Sequence, residues 1–140
     1  MNEEATIRSV LARRTWAVVG CSPDPSRDSN RIARLLDSRG YDVIPVNPRV
    51  GEVLGRRCYP ALGDLDRPVD VVDVFRRADQ AGAHVDEAIA AGARAVWLQL
   101  GVLDEEAAER AAAAGLEVVM DRCPAIEMPR LGVAGPASSA

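Results

Sequence analysis

Short apolar runs at residues 15–19, 41–46, 69–75, 95–100 and 116–120, each followed by a polar or glycine-bearing loop, constrain this chain more than any other feature. Thr15-Trp16-Ala17-Val18-Val19 and the β-branched stretch from Val69 to Phe75 run apolar almost without a break, as strands buried on both faces require. Between the runs the pattern turns helical. Ile32, Leu35 and Leu36 share one face of a segment that reaches Arg39 and ends at Gly40, with Ser29 or Asp28 as its expected N-cap. Residues 79–91 form an amphipathic helix stopped by Gly92, and residues 104–114 an alanine-rich one ended by Gly115. A lead-in helix is expected over 3–13.

Strand, loop and helix in repetition produce a parallel sheet covered on both sides, so the fold class is α/β: a Rossmann-like three-layer sandwich, its sheet mostly parallel, with helices on both faces. Residues 49–68 are rich in Gly, Arg and Pro; 53–54 and 58–59 read as short extended pieces and 61–65 as a helical turn, but no periodicity places them in the fold. A chain of 140 residues has room for one core. The expectation is one domain over 1–131 and a small, polar, mobile tail over 132–140.

Composition excludes several functions. No apolar run approaches the ~20 residues that cross a bilayer, and the start is acidic where a secretory signal would be basic, so a cytoplasmic protein without a membrane partner is expected. A net charge of −4 argues against broad nucleic-acid binding. All 17 basic residues are arginine, which removes Schiff-base and P-loop lysine chemistry. Cys21, Cys58 and Cys123 form no CxxC pair, and His84 is the single histidine, set within a helix away from the loop edge; no metal site and no catalytic triad is indicated.

In parallel sheets of this kind ligands bind where the strands end, so five loops converge on one place: 20–28, 47–51, 75–79, 99–103 and 121–126. The first, Gly20-Cys21-Ser22-Pro23-Asp24-Pro25-Ser26-Arg27, feeds a helix start whose free N–H groups suit a phosphate, with Ser29, Asn30 and the flanking Arg27 and Arg31 as polar partners. The same residues also suit a plain proline-rich turn before a helix. A GxGxxG fingerprint is missing, and Asn47-Pro48-Arg49 stands where a ribose-reading acidic residue would be, so a dinucleotide is disfavoured. Phe75-Arg76 offers an apolar ring beside a guanidinium, Gln99 a neutral polar group, and Arg122 with Cys123 a cation and a thiol at the same rim. Trp97 is expected in the core, and Asp73 to be buried and hydrogen-bonded. A nucleophilic Cys123 would need a nearby base or an electropositive setting, and only Arg122, a cation, is in view.

The strings Ala17-Val18-Val19-Gly20-Cys21-Ser22-Pro23, Gly40-Tyr41-Asp42-Val43-Ile44-Pro45-Val46-Asn47-Pro48, Val69 to Arg76, Val96-Trp97-Leu98-Gln99-Leu100-Gly101-Val102 and Asp121-Arg122-Cys123 resemble the small stand-alone CoA-binding family, related to the CoA-binding domain of the succinyl-CoA synthetase alpha subunit. The resemblance covers 15–131. It implies coenzyme A or an acyl-CoA held across the first loop, the Asn47-Pro48 turn and the strand end at Phe75-Arg76. The synthetase's phosphorylated histidine has no match in His84, so the implied role is a binding or regulatory module rather than a ligase. A thiol-dependent enzyme acting on acyl-CoA or CoA disulfide and an NAD(P)-binding oxidoreductase are the alternatives. A homodimer, or another protein partner docked on an exposed face near 127–131, is a further expectation.

Overall fold

The computed structural model describes residues 2–137, so the last three residues of the expected mobile tail lie outside the described residues. Five parallel strands, β1 (Thr15–Val19), β2 (Asp42–Val46), β5 (Val71–Val74), β6 (Ala95–Leu98) and β7 (Glu117–Met120), form one sheet in the order β2-β1-β5-β6-β7. A separate antiparallel pair, β3 (Glu52–Val53) and β4 (Arg56–Arg57), lies within the stretch that sequence could not place. Helices α1 (Glu4–Leu11), α2 (Asp28–Ser38) and α5 (Pro124–Leu131) cover one face of the sheet, and α3 (Ala78–Ala90) and α4 (Glu105–Ala113) the other.

Alternation along each strand divides the core in two. Ala17, Val19, Ile44, Val72, Val74, Val96, Leu98 and Val118 pack against α3 and α4, while Trp16, Val18, Val43, Val71, Trp97 and Val119 pack beneath α1, α2 and α5. Trp16 and Trp97 are fully buried with ring centroids 5.6 Å apart, and each indole N–H finds a carbonyl, that of Arg13 and that of Arg122, both at 2.9 Å. Large aromatic area is thus buried without an orphaned donor, as expected of Trp97.

β1 has the bounds its apolar run predicts, and the other four strands are shorter by one to three residues, because their runs extend past the hydrogen-bonded ladder into the adjoining loops. Three local expectations change. Neither Asp28 nor Ser29 caps α2 through its side chain; Arg27 is the N-cap residue, and the Ser29 hydroxyl instead accepts the Ser22 N–H at 3.0 Å. Residues 124–131, read as loop and exposed face, form α5, with Pro124 in its first turn and Gly132 in the left-handed conformation at its end. Glu127, Met128 and Leu131 are buried by that helix, which removes most of the face proposed for docking. Beyond it, the Ala137 N–H donates to the Ala12 carbonyl at 2.9 Å, so the described part of the tail lies against the end of α1.

Residues 49–68 close one edge of the sheet. Leu54 (φ 56°) and Gly55 (φ 71°) make the two-residue turn of the β3–β4 hairpin, a turn type that needs positive φ at both positions. Tyr59 bridges to Val46, accepting the Asn47 N–H at 2.9 Å and donating its own N–H to Pro45 at 3.0 Å. The helical turn expected near 61–65 is a 3-10 turn at Leu62–Asp64.

Candidate functional site

The strand order reverses at β1: the chain leaves it for β2 on one side and returns to β5 on the other, so the loops after β1 and β5 diverge and open a crevice. Gly20 and Phe75 are the first residues beyond those two strands. Gly20 adopts φ +83°, and a Cβ built on it would stand 2.5 Å from the Phe75 carbonyl oxygen and 3.3 Å from Arg76 Nε. Only a residue without a side chain allows the two loops to come this close.

The first loop is held from inside. The Ser22 N–H donates to Ser29 Oγ at 3.0 Å, Asn30 Nδ2 donates to the Ser22 carbonyl at 2.9 Å, and Asn47 Nδ2 donates to the Cys21 carbonyl at 3.0 Å. Ser29 and Asn30 are buried. These side chains, expected as ligand donors, spend their polar groups on shaping the loop. Asn47 also accepts the Arg49 N–H at 2.9 Å, which fixes the turn that Pro48 follows into. Pro23 and Arg27 are exposed on the loop.

Above this loop a cavity of about 360 Å³ is lined by Gly20, Ser22, Arg27, Asp28, Ser29 and Phe75. The amides of the first turn of α2 have no side-chain cap and border this space, together with the Arg27 side chain. That is a setting for an anion: free N–H groups, a positive dipole end and a guanidinium. Asp28 opposes it from the first turn, and Arg31 pairs with that carboxylate.

A second, larger cleft of about 550 Å³ shares Asp28 and Phe75 with the first. Its walls are apolar for the most part: Ile32 and Leu35 from α2, Leu100 and Val102 after β6, Ala125 from α5. Asp28 and Arg31 at the α2 end, with Arg76, Gln99 and Cys123, supply its polar atoms. Arg76 Nε is buried without a hydrogen-bond partner. Gln99 donates from Nε2 to Asp73 Oδ1 at 2.7 Å, and Asp73 is fully buried with its second oxygen unpaired. Burial pushes the Asp73 carboxyl up to about 8, against the opposing hydrogen bond from Gln99.

The thiols are not activated. Burial pushes Cys21 up to about 12, with Cys58 and Asp73 adding to the rise, and burial also raises Cys58 and Cys123. Among the described residues no cluster of ligating side chains is placed to hold a metal ion.

Of the residues singled out from sequence, Gly20, Ser22, Arg27, Ser29, Phe75, Arg76 and Gln99 line the two connected cavities. Cys21, Asn30 and Asn47 stand behind the loop as its framework. Pro48 lies on the far side of Arg76, in a small cavity of about 130 Å³ that also touches His84. His84 is therefore nearer the strand ends than its helix position implied, yet its Nδ1 lies 3.0 Å from Glu87 Oε1. Arg122 borders neither cavity; its Nε sits 3.9 Å from Glu127 Oε1. Sequence reasoning did not single out Ile32 and Leu35, nor Leu100, Val102 and Ala125 within the loops 99–103 and 121–126 that it placed at this edge. The first two were visible as the apolar stripe of α2, but nothing in the pattern says that part of that stripe faces a cleft rather than the core.

The model of a protein family described as a CoA binding domain matches residues 14–129. A protein of Bacillus subtilis strain 168, called the uncharacterized protein YneT, is 37% identical over 121 residues, which span 86% of this chain and 90% of that protein. The ADP-forming acetate–CoA ligase I of Archaeoglobus fulgidus is 30% identical over 120 residues, 76% of this chain but only 17% of the ligase. Among solved structures, a hypothetical protein from Pyrococcus horikoshii OT3 is 42% identical and superimposes with a TM-score of 0.88 over 92% of both chains.

Proposed function

This chain belongs to the CoA binding domain family, and from that premise we propose that it binds coenzyme A or an acyl-CoA across the two connected cavities, as a binding or regulatory module without ligase chemistry. The diphosphate sits at the N-terminus of α2, facing the Ser22 and Arg27 side of the first loop, and the pantetheine arm runs past Phe75 into the apolar cleft. Ser29, Asn30 and Asn47 hold the loop in shape for it, and Arg76 lends a guanidinium to the wall of the larger cleft.

The observation that carries this reading is the sharing of Asp28 and Phe75 by the two cavities, beside the close approach of Gly20 to the Phe75 carbonyl. It joins an amide-lined anion site to an apolar trough, and a phosphopantetheine nucleotide has that same sequence of charge and apolar arm. The depressed reactivity expected of Cys21 and Cys123 supports binding over thiol catalysis.

Isothermal titration with CoA and dephospho-CoA at two salt concentrations tests it. CoA should bind more tightly than dephospho-CoA, which lacks one phosphate, and both should weaken as salt screens the arginines. Absence of binding heat with either compound would remove the assignment.

A further inference from the structure

Three large hydrophobic side chains stand exposed among the described residues, Leu100 at 55%, Leu103 at 54% and Ile126 at 52%. All three lie on the two segments that border the mouth of the larger cleft: Leu100 lines it directly, Leu103 follows its neighbour Val102, and Ile126 follows Ala125. A scattered exposed leucine calls for no account, but an exposed leucine that lines a mostly apolar cleft does.

Leu100 is held in place there. The Val102 N–H donates to the Gln99 carbonyl at 2.9 Å, Gly101 adopts φ +79°, and the Gly101 N–H donates to Asp121 Oδ1 at 2.8 Å. These bonds fix a tight turn with Leu100 at its tip. Gln99, at the base of that turn, is fixed by the bond from its Nε2 to the buried Asp73, and among the described residues no protein group bonds its carbonyl Oε1. Along the cleft, then, the anion site gives way to Phe75, next to an oriented amide, and then to an apolar mouth.

The geometry points to an acyl-CoA thioester with an apolar acyl group of several carbons as the ligand of this cleft, a pantetheine amide on Gln99 and the acyl chain over Leu100 and Ile126. This rests on the reading that the diphosphate is held at the start of α2. An acyl chain is favoured over a protein partner because Leu100 itself lines the cleft, where Ile32, Leu35, Val102 and Ala125 prolong the same apolar surface inward. Asp73 acts here as a positioning residue: it holds the Gln99 amide and touches no ligand.

Titrations with CoA, acetyl-CoA and octanoyl-CoA, on the unmodified chain and on a Leu100→Ser/Ile126→Ser double variant, test the proposal. Each fully covered methylene sets a ceiling of about fourfold in affinity, from ~0.8 kcal/mol per CH₂, and a cleft open on one side realises part of it. Octanoyl-CoA should therefore bind the unmodified chain at least about tenfold more tightly than acetyl-CoA, and the double variant should bring that ratio to within about twofold. Both substituted positions are more than half exposed, so folding is not at stake. Equal affinity for the three ligands would overturn the acyl lane while leaving CoA binding intact; failure to bind any of them would overturn the underlying reading instead. Sedimentation on the same samples provides the remaining outcome: a dimer that the double variant dissociates, with an unchanged ligand ratio, would assign the patch to self-association and overturn the proposal.

Discussion

Gln99 Nε2 lies 2.7 Å from Asp73 Oδ1 where β5 and β6 end, a hydrogen bond between two side chains that are 6% and 0% exposed. A carboxyl group in an otherwise apolar layer, with one oxygen unpaired, is held by that single amide. Its neighbours across the sheet are Val18 and Trp97, and Cys21 and Cys123 lie close enough to feel its charge.

The pH dependence of stability should report on Asp73. Its carboxyl moves from 3.8 up to about 8 on folding, so the native state keeps a proton that the unfolded chain has released. Stability from this group is fully present below about pH 4 and is lost as pH rises, by about 1.4 kcal/mol per unit, until the native group ionises. Asp73→Asn retains an acceptor for Gln99 and cannot ionise. Urea denaturation at pH 6 and pH 8 should show the variant gaining about 2 kcal/mol on the unmodified chain over that interval. A constant difference would place the ionised carboxylate in a less costly setting.

Replacing Gly20 by alanine should cost both stability and ligand. The left-handed conformation strains any Cβ, and the atom it would meet, 2.5 Å away, is a backbone oxygen that cannot swing aside. A loss of about 1–3 kcal/mol by urea denaturation is expected, with weakened CoA binding in conditions where the variant is still folded.

Arg27→Ala separates electrostatics from fold. The side chain is exposed on the wall of the anion cavity. Its removal should leave the melting temperature within about a degree while lowering CoA affinity about tenfold, the scale of one hydrogen bond to a charged group. Titration across salt concentrations should show a shallower dependence for the variant. An unchanged affinity would move the phosphates away from α2.

Alkylation with iodoacetamide should rank the thiols by burial and by their raised ionisation. Cys21, pushed up to about 12, should resist labelling in the native state, and Cys123 should react more slowly than free cysteine near neutral pH. CoA should slow Cys123 further, because that residue lines the cleft. Mass spectrometry of labelled peptides reads all of these at once, and rapid labelling of Cys123 would reopen the thiol-enzyme reading.

Helix α5 shows why part of the fold was illegible from residues alone. Asp121-Arg122-Cys123-Pro124 carries the marks of a turn, and Pro129 stands inside the following helix, where proline is normally a stop signal. Eight residues supply little periodicity to set against those signals. The β3–β4 hairpin was hidden for a related reason: its turn places Leu54 at positive φ, a conformation that leucine does not advertise. The setting of Arg122 depends on the same helix. Its position after the last strand suggested the ligand rim, but the α5 backbone brings Glu127 within 3.9 Å, and the guanidinium turns there.

Residue order alone determined the α/β class, the five buried strands, the edge of the sheet at which ligands should be sought and the glycine, serine and arginine residues near that edge, because each follows from local periodicity, turn chemistry and the handedness of parallel crossovers. The tertiary structure alone decided which of those polar groups face open space. Ser29, Asn30 and Asn47 look like ligand donors when read along the chain, yet each is taken up by a backbone atom 7 to 26 positions away. A hydrogen-bonding group can be satisfied by any partner brought within about 3 Å, and that choice is made by packing between distant segments rather than by neighbours in sequence.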